Sequence, residues 1–268
     1  MTRASADSTP HVDAHRTLTL LSCNILAGGS VKRYRDYVTH SWKHVLPHGK
    51  RENLDDLARL LGDFDLVALQ EADAGSLRSG FLNQTQYLAQ AAKFPYWTHQ
   101  PNRRVSKLAT SSNGLLAREE PNEVLDYPLP GRIPGRGALW ARFGEGDDAL
   151  VVVVAHLSLG AQARARQVAF LAELIGGHRH AVLMGDLNTS AHSKELESLY
   201  RHTSLAPPEH PPATFPSWKP KRAIDHILVS SEIEVEQRWA LAHPVSDHLP
   251  IAARVRLPAP VRVARPRS

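Results

Sequence analysis

Residues 181–190 read AVLMGDLNTS: an apolar run halts at Gly185 and delivers Asp186 and Asn188 into polar sequence. Alone, this is ordinary turn chemistry, because Gly, Asp and Asn are the residues that tight turns favour. The neighbouring runs change the reading. Short apolar, β-branched segments recur as RTLTLLSCNIL (16–26), DLVALQE (65–71), NGLLAR (113–118), ALWARF (138–143), ALVVVVAHL (149–157), HAVLMGDLN (180–188), AIDHILVS (223–230) and IAARVRL (251–257). Each has the length of a strand, and several read as buried on both faces. Between them lie helical patterns. KRENLDDLARLLGDF (50–64) sets Leu54, Leu57, Leu60 and Leu61 on one stripe, LNQTQYLAQAAKF (82–94) behaves similarly, and ARARQVAFLAELIGG (163–177) ends at a glycine pair suited to a C-cap. The mixture predicts an α/β protein with two packed sheets flanked by helices. It does not fix the strand order.

Composition fits one soluble domain with a real core: 42% of the 268 residues are hydrophobic and 22% charged. Residues 1–15 and 258–268 are Pro- and charge-rich and read as loose tails, leaving a single domain over 16–257. A net charge of +5 suits an anionic partner, but the C-terminal PVRVARPRS carries three of those charges, so the body is only mildly basic. The single cysteine, Cys23, excludes an intrachain disulfide and reads as an inert core residue. Neither a secretory leader nor a transmembrane run is evident, so the expectation is a cytoplasmic protein with the monomer favoured.

What closes each strand carries the chemistry. LLSCN ends in Asn24, VALQE in Glu71, VVVVAH in His156, and VLMGDLN in Asp186 and Asn188; AIDH carries Asp225 and His226, and VSDHLP gives Asp247 and His248 before the last strand. One polar strand end means nothing. A set drawn from Asn, Glu, Asp and His is different, because strand ends of layered α/β folds gather at one edge, where sites are built. Carboxylate and amide oxygens are hard ligands that suit Mg²⁺ or Mn²⁺, and magnesium takes one or two protein carboxylates plus phosphate oxygens and water. Glu71 would be such a ligand, and a carboxylate near a histidine could orient the imidazole or keep it protonated.

The ordered set Asn24, LQE (69–71), HLSLG (156–160), GDLN (185–188), IDH (224–226) and SDHLP (246–250) resembles the endonuclease/exonuclease/phosphatase superfamily over roughly residues 18–256. That family has a DNase I-like fold, a four-layered two-sheet sandwich flanked by helices, and hydrolyses phosphoric esters with a divalent metal. The resemblance implies a Mg²⁺ or Mn²⁺ cofactor held by Glu71, Asn24 and Asp247. It implies catalytic roles for Asp186 on the attacking water, Asn188 and His248 on the phosphate, and Asp225 as the partner of His248. His156 resembles the histidine of sphingomyelinase-like bacterial members, where apurinic endonucleases carry tyrosine. Asn113 resembles a site-lining position, and Arg164 at a helix start resembles the histidine-bearing subgroup, although a solvated helix face is the plain alternative.

The departures are informative. Leu26 stands where some nuclease members carry a second acid, which argues for one tightly held metal. Arg222 lies three residues before Asp225 with two residues intervening, so a surface arginine is as good a reading of it. The loops HQPNRRVSK and LPGRIPGRGALW offer Arg103 and Arg136 as substrate cations, and the cation- and aromatic-rich segment 27–53 reads either as a surface loop or as a substrate-facing lid. The expected activity is therefore a metal-dependent phosphodiesterase using in-line water attack, acting on phospholipid headgroups at a membrane surface or on small phosphodiesters. A DNA or RNA nuclease is the alternative. A silent binding module is a third class, and the intact Glu71, Asp186, Asn188 and His248 speak against it.

Overall fold

The computed structural model describes residues 16–25, 50–75, 82–105, 109–131, 135–259 and 261, with the side chains of 50, 51, 102–105, 109 and 110 excepted. The first half runs β1 (Thr17–Asn24), α1 (Lys50–Leu61), β2 (Leu66–Asp73), α2 (Gln84–Ala91), β3 (Tyr96–Val105), β4 (Ala109–Ala117), β5 (Glu123–Pro128) and β6 (Gly137–Phe143). The second runs β7 (Leu150–His156), α3 (Ala161–Ile175), β8 (His180–Asp186), α4 (Lys194–His202), β9 (Leu205–Ala206), β10 (Asp225–Ser230), β11 (Glu234–Ala240) and β12 (Ile251–Arg256). Two six-stranded sheets result, ordered β11-β12-β1-β2-β4-β3 and β5-β6-β7-β8-β10-β9.

Three apolar layers hold the sheets and helices together. Leu20, Leu66, Leu115, Leu139, Val152, Val182 and Ile227 meet between the sheets. The other face of the β1–β2 sheet packs Leu21, Val67 and Leu116 against Leu54, Leu57 and Leu61 of α1 and Leu88 of α2. The other face of the β7–β8 sheet packs Val151, Val153 and Leu183 against Val168, Leu171 and Ile175 of α3 and Leu196 and Leu199 of α4. This is the expected α/β sandwich flanked by helices, in four layers. No helix among the described residues is long and apolar enough to cross a membrane.

Each sheet has one parallel pair near its centre, β1–β2 and β7–β8, while its other pairings are antiparallel. Both pairs therefore deliver their C-terminal ends to one edge, and antiparallel neighbours begin there: Asp225 opens β10 opposite Asp186, and Ile251 opens β12 opposite Ser22.

Two boundaries are sharper than the composition suggested. Arg16 pairs with the buried Glu119, fixing the start of β1. Val261, within the stretch read as a tail, is buried in the inter-sheet layer, where a single apolar side chain outweighs its Pro- and Arg-rich neighbours.

Candidate active site

Strand parity builds the site. Side chains two apart share a face, so the inter-sheet layer follows Leu18 and Leu20 to Ser22 and Asn24, Leu66 and Ala68 to Gln70, Val152 and Val154 to His156, and Val182 and Met184 to Asp186. Along each strand the same layer is apolar in the middle and polar at the edge. Ladder register then sets three residues abreast: His156 is the β7 partner of Asp186, and Asp225 is its β10 partner. His156 Nε2 lies 3.3 Å from Asp186 Oδ2, and Asn24 Nδ2 reaches the same oxygen from the opposite sheet at 3.3 Å.

Two residues reach this edge through unusual backbone. Glu71 sits where the β2–β4 register shifts between Leu69 and Ala72, with φ 58°. Simple alternation would turn it away from the face that Gln70 occupies. The bulge re-aims it, and Glu71 Oε1 comes within 3.9 Å of His156 Nε2. Asn188, at φ 52°, folds the chain back beyond β8. Its backbone N–H donates to Asp186 Oδ1 at 3.0 Å and its Nδ2 to the Leu157 carbonyl at 2.9 Å. A left-handed glutamate is uncommon among non-glycine residues, and such strain collects at functional sites.

The last strand's entry loop adds His248. Its Nδ1 donates to Asp225 Oδ2 at 2.9 Å, and Nε2 lies 3.8 Å from Asp186 Oδ2. The buried Thr214 hydroxyl donates to Asp225 Oδ2 as well, and Phe215 covers the imidazole with ring centroids 4.9 Å apart. Ser246 ties the loop to β1, donating to the Asn24 carbonyl at 2.6 Å. Burial works against a charged His248, yet the Asp225 hydrogen bond and the nearby carboxylates raise its pKa to about 9. Burial likewise opposes ionisation of Asp186, but the hydrogen bond from His156 and the charges of His156 and His248 hold it below the usual carboxylate range. Asp247 is pushed up by burial, with the charges of Glu71 and Asp186 adding to the shift. Asp186, Asp225 and His248 also place ligand-type atoms within 4.8 Å of one another, a group that could hold a metal ion. Two of these three are already hydrogen-bonded to each other.

The remaining candidates fall elsewhere. Asn113 is buried between the sheets, donating to the Gly137 carbonyl at 2.8 Å, with Gln100 beside it donating to the Tyr127 carbonyl at 3.1 Å; both bonds sew one sheet to the other. Arg164, read as a substrate cation, has its guanidinium committed inside the protein to Glu195 and to the carbonyls of Ser158 and Leu159. Arg136 stands half-buried at the approach to β6, Arg222 lies exposed over the Phe215 ring, and the Arg103 side chain and segment 27–49 lie outside the described residues. Ser22, Gln70, Thr214, Phe215 and Ser246 were missed. The first two carry a signal in hindsight, being polar at positions in phase with the inter-sheet apolar residues.

His226 faces away from this row, fully buried, with Nε2 bonded to the Thr189 carbonyl at 2.8 Å. Burial lowers its pKa to about 4. Because the folded chain binds this proton less readily than the unfolded chain, the stabilisation is complete above about pH 6.5 and is lost as pH falls toward 4. Acid titration of the melting temperature is expected to reveal a loss of about 3 kcal/mol across that window. The His226→Gln variant should lack most of it, and an unchanged acid limb would remove His226 as its source.

Three comparisons bear on this geometry. A family model described as Endonuclease/Exonuclease/phosphatase family matches residues 21–248. No curated protein sequence gives a significant match. Among solved structures, an endonuclease/exonuclease/phosphatase from Beutenbergia cavernae superposes with TM-score 0.69 at 18% identity, covering 90% of this chain and 72% of its own. A family protein from Bacteroides thetaiotaomicron gives 0.67 at 18% identity, covering 91% and 99%. The mannosyl-6-phosphatase Bt3783 of the same organism gives 0.63 at 18%, covering 89% and 99%. The family match takes in every residue of the cluster from Asn24 to His248, and the chain belongs to the endonuclease/exonuclease/phosphatase family, whose members hydrolyse phosphoester bonds.

Proposed function

We propose that this chain is a divalent-metal-dependent phosphodiesterase that hydrolyses its substrate by in-line attack of water on phosphorus. The observation that carries the reading is the row His156–Asp186–Asp225, closed by His248 across it and by Asn24 from the other sheet. In it a carboxylate kept anionic lies between two imidazoles, the arrangement needed to take a proton from water and donate to a developing phosphorane. Asp186 takes the proton of the attacking water. His248, its Nδ1 fixed by Asp225, presents Nε2–H to a phosphate oxygen, and His156 and Asn188 hold the others.

Glu71, Asn24 and Asp247 supply oxygen donors only, which suits Mg²⁺ or Mn²⁺. The charge of Glu71 helps to raise Asp247, a repulsion that a bound cation would relieve. When bound there, a divalent ion supplies charge neutralisation at the phosphate and leaving-group oxygens. The imidazole at His156 and the leucine at 26 favour a lipid or small-molecule phosphodiester over a nucleic acid.

A hydrolysis panel tests the reading, with bis-p-nitrophenyl phosphate, p-nitrophenyl phosphate, sphingomyelin, and plasmid and abasic DNA as substrates. Turnover of the diester with Mg²⁺ or Mn²⁺, stopped by EDTA and restored by metal, is expected. Turnover of the monoester alone would replace the reading with a phosphatase. DNA cleavage with a steep salt dependence would replace it with a nuclease.

A further inference from the structure

The loop that leaves His156 is held more firmly than a connection of its length requires. The Leu157 N–H donates to the Asp186 carbonyl at 3.0 Å, and the Leu157 carbonyl accepts from Asn188 Nδ2 at 2.9 Å. The Ser158 N–H donates to Gln167 Oε1 at 2.8 Å, and Gln167 Nε2 donates to Ser158 Oγ at 3.0 Å, although Gln167 is fully buried in α3. Arg164 Nη1 donates to the carbonyls of Ser158, at 3.2 Å, and Leu159, while Nη2 donates to Glu195 Oε1 of α4 at 2.8 Å. The Arg164 and Glu195 side chains are only 11% and 19% exposed. Burying an ion pair carries a desolvation penalty, so one committed to two loop carbonyls calls for a reason.

What the clamp holds in place is Leu159, whose exposure is 77%. The other exposed large hydrophobic among the described residues is Leu125, at 38%, on the sheet-edge strand β5. A leucine left in water forgoes about 1.5–3 kcal/mol of burial, and a slack loop would be free to tuck it in. Here the backbone on both sides is fixed. Three residues of chain span at most about 11 Å, so the Leu159 backbone is tethered within that distance of His156, at the end of β7.

We infer that Leu159 is a specificity contact for an apolar alkyl or aryl group carried by the substrate phosphodiester, and that Arg164 and Gln167 are positioning residues that hold it there. The substrate class so named rests on the phosphodiesterase reading. The apolar group could belong to a soluble amphiphilic ester or to a membrane lipid, and the two are separable.

The test compares methyl and hexyl p-nitrophenyl phosphate, which share a leaving group, at concentrations where both are monomeric. The unmodified protein is expected to favour the hexyl ester in kcat/KM by about tenfold. Leu159→Ser should bring the hexyl-to-methyl ratio near one, chiefly through KM. Arg164→Ala should do the same, with partial recovery of the ratio in Arg164→Lys, which keeps a donor and a charge for Glu195. A merely structural defect lowers both esters and leaves their ratio untouched, and that outcome overturns the inference. Calorimetric binding of methyl and hexyl phosphate needs no turnover. A hexyl preference that Leu159→Ser removes supports the inference even where neither diester is hydrolysed, a result that fails only the phosphodiesterase reading. Equal binding of the two by the unmodified protein overturns it. Leu159-dependent sedimentation with phosphatidylcholine vesicles in addition identifies a membrane lipid, and binding of the soluble ester alone identifies a soluble one.

Discussion

Replacing Asp186 with asparagine is expected to lower kcat by about a thousandfold and leave the fold intact. The substitution keeps the shape and removes the proton acceptor. Asp186 Oδ1 accepts the Asn188 N–H at 3.0 Å, a bond that the amide oxygen can retain. Oδ2 faces His156 Nε2 and Asn24 Nδ2, each at 3.3 Å, and His248 Nε2 at 3.8 Å. An NH₂ there meets one amide donor and two imidazoles that can present only one acceptor between them while His248 keeps its proton. The local cost, about 1–3 kcal/mol for a mismatched buried polar group, is offset in part because Asp225 loses a neighbouring charge that opposes its ionisation. The melting temperature should therefore fall by a few degrees only. Circular dichroism and steady-state kinetics on bis-p-nitrophenyl phosphate check both halves, and a variant within tenfold of the parent would take Asp186 out of the reaction.

The parts of this molecule that could be read from sequence are those buried on both sides. β7 and β8 lie inside a sheet with α3 and α4 on one face and the opposing sheet on the other, so VVVV and AVLM appear as unbroken apolar runs. The edge strands do not: YWTHQPNRRV (β3), EVLDYP (β5) and EVEQRWA (β11) are partly wet, and the last carries Glu234 and Glu236 in ion pairs with Arg256, so each reads as loop. Helix α4, nine residues long, was missed for its brevity. Strand order depends on long-range pairing that no local pattern encodes. At the candidate site, Asn24, Glu71, His156 and Asp186 are legible because each stands at or near the C-terminal end of a strand, and Asp225 and His248 because each stands at or shortly before the start of one. Thr214 carries no such mark, since its value lies in meeting Asp225 across a sequence separation of 11. Arg164 misled for a related reason: an arginine at a helix start looks the same in sequence whether it faces solvent, substrate or a buried glutamate.

Gly185→Ala is expected to lower the melting temperature by about 10 °C and to abolish activity in what remains folded. The residue has φ 149°, a region that side chains rarely adopt, and a Cβ built there would stand 1.8 Å from the Ala155 carbonyl oxygen and 2.9 Å from its carbon. Ala155 is its ladder partner in the parallel β7–β8 pair, so the obstacle is backbone at the centre of a sheet and cannot swing aside. The contrast is Gly114, where a Cβ would meet the Thr85 side chain at 2.7 Å, an obstacle that can rotate away in part. Relieving the overlap at 185 means prying two core strands apart, with an expected cost of about 3–5 kcal/mol from overpacking and backbone strain together. One residue further on, the same two strands present His156 and Asp186 to each other at 3.3 Å. A displacement that the fold survives is thus one that the reaction does not. Differential scanning fluorimetry with parallel kinetics separates the two effects, and a melting temperature within 2 °C of the parent would show that the close approach is not needed. In AVLMGDLNTS the glycine is there for the strand before it as much as for the turn after it: it lets β8 lie against β7 closely enough that the next residue, Asp186, stands beside His156.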